Sequence, residues 1–361
     1  MSAPTAAFVS FRFGGTDGVS VEAAKWEWAL RTLGFATRRV AGEFDDALRP
    51  DDTWLPFLAI DPVEGARPDG EALGAAIAGA DLVVVENLCS LPLNPTASSV
   101  TAAVLAQHRG RVLFHHHDLP WERERFAEVT DLPPQRPGSL HVTINDAARD
   151  ALVARGIHAH TIRNAFDLDP VVGDRAGTRA AFSFRADDLV VAQPTRAIPR
   201  KEVGRGIAYA EDLARLSDVP TTWFWLTGPA EDGFGPELER LIAAADVPVA
   251  RGRAARREDV YAASDVIVFP SSIEGFGNPI IEATIAGRPV AVAHYPVLDE
   301  IVGLGLQLFS VDDPQAMVAW LAAPDPAMVD ANRASLKRHF DLADLPVHIS
   351  DAFSAVGWRD W

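Results

Sequence analysis

The sequence predicts an α/β protein made of two Rossmann-like domains, and three observations predict it. At 361 residues the chain is long enough for two cores of roughly 150 residues each. Short β-branched or aromatic runs alternate with longer segments of helical period, the pattern of a parallel sheet covered by helices. A polar stretch carrying Pro and Gly, Asp167–Asp188, separates two such blocks and reads as the interdomain connection.

In chain order, the expected strands of the first block are Ala7–Phe13, Leu82–Glu86, Arg111–His116 and His141–Asn145. Those of the second are Leu189–Pro194, Thr222–Thr227, Val247–Ala250, Val266–Pro270 and Pro289–Ala293. Helices are expected over Val21–Leu33 and Val203–Leu216, the latter stopped by Ser-Asp-Val-Pro. Leu342–Trp361 reads as a helix with Val347, Ile349 and Phe353 as its apolar residues. The expected division is residues 1–172, residues 173–341, and a C-terminal helix over 342–361 returning to the first domain.

A net charge of −17 and a pI of about 5.0, with no dense Lys/Arg run, argue against nucleic acid as a partner and against an anionic membrane surface. The apolar stretches are strand-sized, and the N-terminus reads as a first strand, not a signal peptide. A lone cysteine, Cys89, fits a reducing, cytoplasmic compartment. Lysine is scarce: only Lys25, Lys201 and Lys337 occur. Ligands of open α/β sheets bind beyond the carboxyl ends of the strands, so informative residues are expected there, around a cleft between the two domains.

Four segments meet that expectation. Phe269-Pro-Ser-Ser-Ile-Glu-Gly-Phe-Gly-Asn-Pro-Ile-Ile-Glu282 runs from a strand through a glycine turn into a helix. Asn278 is the expected N-cap and Pro279 the first helical residue, so free N–H groups there suit an anion or hydroxyls. Glu274 and Glu282 flank the turn, and carboxylates accept paired bonds from vicinal hydroxyls. Pro194-Thr-Arg-Ala-Ile-Pro-Arg-Lys201 also follows a strand, and its arginine forks and lysine point charge, among them Arg196 and Lys201, suit phosphate. Phe13-Gly-Gly-Thr-Asp-Gly-Val-Ser20 follows the first strand; Gly14 and Gly15 allow close backbone approach, while Asp17 or Ser20 caps the next helix. His115-His-His-Asp-Leu-Pro-Trp-Glu-Arg-Glu-Arg125 lies at another strand end. Three adjacent histidines alternate across a strand, so they do not make one metal site, and no metal is expected.

Glu274 and Glu282 with Gly-Phe-Gly between them, and Gly-Arg-Pro-Val-Ala-Val after, resemble the retaining GT-B glycosyltransferases of family 4, also called glycosyl transferases group 1. The resemblance runs from Phe13 to about Ile301. It implies a GT-B fold, with Glu274 and the amides of Phe276 and Gly277 on the donor sugar and Glu282 on the ribose. It further implies that Arg196 and Lys201 bind the diphosphate, that Gly14 and Gly15 touch it, and that His117 lies beside the donor sugar. Which of His115, His116 and His117 faces the site stays open. Asn278 departs from the family, which usually has an apolar residue there. Asp17, Trp121 and Arg125 are the expected acceptor-side residues, and Arg163-Asn-Ala-Phe-Asp167 resembles a structural motif closing the first domain.

The implied activity is retaining, metal-independent transfer of a hexose from UDP-glucose or GDP-mannose to a hydroxyl acceptor, without a cofactor. The alternatives are a sugar-nucleotide epimerase, a phosphorylase of similar architecture, or a non-catalytic sugar-binding protein. The absence of Gly-Lys-[Ser/Thr] excludes P-loop chemistry.

Overall fold

The computed structural model describes residues 3–169 and 171–358. The chain forms two units, Met1–Ala165 with Leu342–Trp361, and Phe166–Asp341. Each is one parallel sheet covered by helices, a Rossmann-like domain.

The first unit has strands β1 (Thr5–Phe13), β2 (Ala36–Phe44), β3 (Thr53–Trp54), β4 (Leu82–Glu86), β5 (Arg111–His116), β6 (Leu140–Thr143) and β7 (Ala159–Thr161). Their order is β3-β2-β1-β4-β5-β6-β7, every pair parallel. Helices α1 (Gly18–Thr32), α2 (Gly70–Ile77), α3 (Pro95–Gln107) and α4 (Asp146–Val153) cover it. The strand period of two sends Ala6 and Phe8 into one core, with Trp26 and Leu30, and Ala7 and Val9 into the other, with Leu58 and Leu73.

The second unit has α5 (Arg175–Ala181), β8 (Leu189–Gln193), α6 (Val203–Leu216), β9 (Thr222–Leu226), α7 (Gly235–Ala243), β10 (Val249–Arg251), α8 (Arg257–Ala263), β11 (Val266–Phe269), α9 (Asn278–Ile285), β12 (Val290–Val292), α10 (Leu298–Gly303), β13 (Phe309–Ser310), α11 (Pro314–Ala322) and α12 (Pro326–His339). Its order, β10-β9-β8-β11-β12-β13, reverses direction between β8 and β11. That reversal is the topological switch point, where adjacent strand ends diverge and leave room for a ligand.

Several expectations shift. The boundary falls between Ala165 and Phe166 and not after residue 172. Phe166 donates its N–H to the Phe340 carbonyl at 2.7 Å and pairs with Asp341, which ties it to the second unit. The stretch read as a connection contains α5, locked down by Arg175 on Asp265 (2.7 Å) and by Arg179 on the Ala263 carbonyl (2.9 Å). Asn145 does not extend β6; its side chain accepts from the Ala148 N–H and caps α4. The C-terminal helix is shorter than expected, α13 (Leu345–Ala355) after a 3-10 turn. Ile349 and Phe353 bury against α1 residues in the first unit's core, whereas Val347 is exposed. Residues 359–361 of that expected helix lie outside the described residues.

Candidate functional site

At the switch point of the second unit, the turn after β8 and the loop after β11 bring together groups 73 residues apart in sequence. Lys201 Nζ donates to Glu274 Oε1, and Arg200 Nη1 donates to Glu274 Oε2 at 3.0 Å and to the Ile273 carbonyl at 2.9 Å. Lys201 also sits 5.2 Å from the Phe269 ring centre, within cation–π range. Both members of the pair are almost fully buried. Burial pulls the Lys201 ammonium down to about 8 even though Glu274 opposes it. Burial pushes Glu274 up, but Lys201 and Arg200 outweigh it and hold the carboxyl below its ordinary value.

The turn is held rigidly. Gln193, at the end of β8, donates to the Lys201 carbonyl at 2.7 Å and to Thr195 Oγ1 at 3.1 Å. Glu202, directly after Lys201, is held at φ 48°, a left-handed conformation unusual for a non-glycine residue. Strain of this kind persists only where the surroundings over-determine it.

Arg196 does not join this cluster. It is half exposed and paired with Glu231 at 2.7 Å. The cation beside Lys201 is Arg200, which sequence reasoning passed over although it is the adjacent residue. Glu282 has both oxygens engaged, by Tyr261 Oη at 2.5 Å and Arg257 Nη1 at 2.9 Å. Those two α8 residues are also new to the site.

Asn278 is the first helical residue of α9, and Gly277 is its N-cap at φ 116°. The expected cap therefore shifts by one residue, because glycine alone enters this helix from the left-handed region without cost. A Cβ on Gly277 would lie 2.5 Å from Tyr295 Oη, which donates to the Phe276 carbonyl at 2.9 Å. The Phe276 ring is buried between Phe166 and Phe340. Gly277→Ala is expected to cost about 2 kcal/mol from backbone strain alone, before the Tyr295 clash. A thermal melt checks this, and an unchanged midpoint overturns it.

In the first unit, the strand-end groups form a second buried cluster. His115 Nδ1 (2.8 Å) and His117 Nε2 (3.3 Å) share one oxygen of Glu86, whose side chain is fully buried. Burial pushes Glu86 up, but the two imidazoles outweigh it and hold the carboxyl at about 2. His116 points to the other face, with Nδ1 on Ser90 Oγ (2.6 Å) and Nε2 on His141 (3.0 Å). Asn87, at φ 56°, accepts at its Oδ1 from the His117 and Asp118 N–H groups. The sequence-based reading missed Glu86 and Asn87, along with the buried Glu22, which pairs with Lys25 on α1. Only Glu86 carried a signal, a charge closing the apolar run Leu82–Val85. Glu86, His115 and His117 offer ligand atoms within 4.8 Å of one another, the set a divalent ion would use. Here the same atoms are already joined by hydrogen bonds.

The remaining first-unit residues singled out in the sequence have the following neighbours. Cβ atoms on Gly14 and Gly15 would run into the side chains of Asp46, and of Asp17 and Asp45. The glycine pair thus makes room for the protein's own carboxylates. Asp17 caps α1 through the Val19 and Ser20 N–H groups, both at 3.1 Å, and binds Arg12 at 3.0 Å. Trp121 packs against the Leu119 and Leu152 cluster with Arg155 stacked on its ring at 3.6 Å, and Arg125 lies over Phe126.

Residues 203–323 match the family described as Glycosyl transferases group 1. The chain is 25% identical to the mannosylglucosylglycerate synthase of Petrotoga mobilis, over 84% of this chain and 85% of that protein. It is 37% identical to the D-inositol 3-phosphate glycosyltransferase of Mycobacteroides abscessus, over 41% of this chain and 35% of that protein. In fold it is similar to HepE from Anabaena, solved with UDP-glucose, at a TM-score of 0.74 and 18% identity, covering 97% of this chain and 99% of that one.

Proposed function

We propose, from the premise that this GT-B chain carries a glycosyl transferases group 1 domain, that the protein is a retaining hexosyltransferase. It uses a UDP- or GDP-hexose and needs no metal. The observation that carries the reading is the Lys201–Glu274–Arg200 cluster at the switch point of the second sheet. Its two cations are fixed on a carboxylate, in a buried setting where electrostatic stabilisation is strong and needs no reorganisation. A diphosphate offers the same cations more negative charge than Glu274 does. Once they turn to it, the carboxylate is free to accept bonds from sugar hydroxyls. Arg196, half exposed on the same turn, is free to swing from Glu231 to phosphate.

The step breaks the bond between the sugar C1 and the β-phosphate oxygen, and the electron pair leaves on the phosphate. The acceptor oxygen bonds C1 on the same face, and its proton passes to the departing phosphate. Lys201 and Arg200 stabilise that leaving charge in place of a metal ion. His117, its Nε2 held by Glu86, is the hydrogen-bonding group for the donor sugar. Glu282, oriented by Tyr261 and Arg257, takes the ribose. The name of the near full-length relatives, mannosylglucosylglycerate synthase, favours a small glycosylated acid as acceptor. Among the described residues no helix is long and apolar enough to cross a membrane. We read the enzyme as cytoplasmic, with no nucleic-acid partner.

A thermal-shift panel of UDP, GDP and ADP tests the donor. At a hundredfold excess over Kd the matching nucleotide stabilises by about 2.7 kcal/mol, a shift of several degrees. No shift with any of the three sinks the reading. A chelator should leave both this shift and turnover unchanged.

A further inference from the structure

At the carboxyl end of β2 the first unit carries a hollow of about 410 Å³ whose lining includes no member of the Lys201–Glu274–Arg200 or Glu86–His115–His117 clusters. This is within the ~300–1,000 Å³ range of small-molecule sites. Trp54, 57% exposed, forms one wall, and its indole is fixed by Nε1 donating to the Gly42 carbonyl at 2.7 Å. Leu48 and Val63 are likewise exposed at its edge. The polar lining is three carboxylates, Glu43, Asp45 and Asp61.

The surroundings of these carboxylates separate them from ordinary surface acids. Neighbouring acids are neutralised. Arg39, itself buried, donates to Asp52 at 2.9 and 2.6 Å and to Asp46 at 3.1 and 2.8 Å. Arg49 bonds Glu27 at 2.6 and 2.8 Å, and its N–H bonds Asp52 at 2.8 Å. These bonds clamp the segment between β2 and β3, so the wall carrying Trp54 is preorganised. At the base of the hollow the backbones touch: a Cβ on Gly42 would lie 1.8 Å from the Ala59 nitrogen. The carboxylates of Glu43, Asp45 and Asp61 have no hydrogen-bond or ion-pair partner among the described residues.

Two ligand classes fit poorly. The only set of groups converging at metal-ligand distance among the described residues is Glu86, His115 and His117, so these three carboxylates do not share an ion. An anion would meet three uncompensated negative charges. What remains is a ligand with an apolar face for the indole and several hydroxyl donors for separated carboxylates, whose charge-assisted bonds are the strong ones.

We propose that this hollow is a saccharide subsite that takes one neutral pyranose unit. The C–H face of the sugar lies on Trp54, and its hydroxyls donate to Glu43, Asp45 and Asp61. Its role as the acceptor's glycosyl subsite rests on the glycosyltransferase reading; the binding itself does not.

Saturation-transfer NMR on the full chain tests it, with methyl α-glucopyranoside as probe and glucuronate as its anionic counterpart. The glucoside should bind, with affinity at least tenfold lower in Trp54→Ala and largely kept in Trp54→Phe. Glucuronate should bind at least fivefold more weakly than the glucoside. Lys201→Ala should keep the glucoside signal, which locates the sugar away from the donor cluster. Asp61→Asn and Glu43→Gln should each weaken binding several-fold, and they decide the matter if Trp54→Ala does not fold. No glucoside signal, unchanged binding in these variants, or equal binding of glucuronate overturns the proposal. A nucleotide panel that fails while the glucoside signal holds overturns only the donor reading.

Discussion

Lys201→Ala is expected to lower turnover by about 10²–10³-fold, the typical loss on removing one preorganised group that stabilises developing negative charge. Stability should fall as well, because Glu274 would remain buried with only Arg200. Breaking a buried ion pair costs about 3–5 kcal/mol, so turnover has to be compared well below the variant's melting temperature. A second readout isolates the charge. With Lys201 held at about 8 in the free protein, kcat/KM should decline as pH rises through that value, since the deprotonated amine loses its attraction for phosphate. Lys201→Arg should abolish that alkaline limb, because guanidinium stays charged throughout. A limb that persists in the arginine variant would assign it to another group, and near-normal turnover in the alanine variant would remove Lys201 from the chemistry.

Glu86→Ala should destabilise the first unit by about 3–5 kcal/mol. It strips the acceptor from two buried imidazole N–H groups, each left unsatisfied at about 1–3 kcal/mol, and opens a cavity beside His115 and His117. The pH dependence has a definite sign. The folded-state value of about 2 lies below the ordinary 4.5, so this carboxylate's contribution is fully present above 4.5 and is lost as pH falls toward 2. Urea midpoints of wild type and Glu86→Gln should therefore differ at neutral pH and converge across that window. A gap that stays constant down to pH 2 would show that the two histidines do not hold Glu86 ionised.

The amino-acid sequence by itself determined the two-block α/β organisation and the strand ends that carry function. Strand period, turn glycines and caps are local properties, legible over a few residues. It also determined that three consecutive histidines cannot act together: His116 faces Ser90 and His141 while His115 and His117 meet on Glu86. Family-like spacing picked out Lys201 and Glu274, and these do meet.

Only the tertiary structure decided which charges are partners. Arg200, not Arg196, stands beside Lys201, because the 3-10 turn Pro199–Lys201 points consecutive cations into the switch point while Arg196 leaves toward Glu231. Tyr261 and Arg257 reach Glu282 from a helix more than twenty residues away in sequence. Gly14 is asked for locally, by its left-handed φ of 79°, but the crowding of Asp46 against Gly14 and of Asp17 and Asp45 against Gly15 is visible only in the tertiary structure. The physical reason is common to all three. Backbone conformation is set largely by neighbours along the chain, whereas ion pairing and burial are set by which strand ends the sheet order makes adjacent.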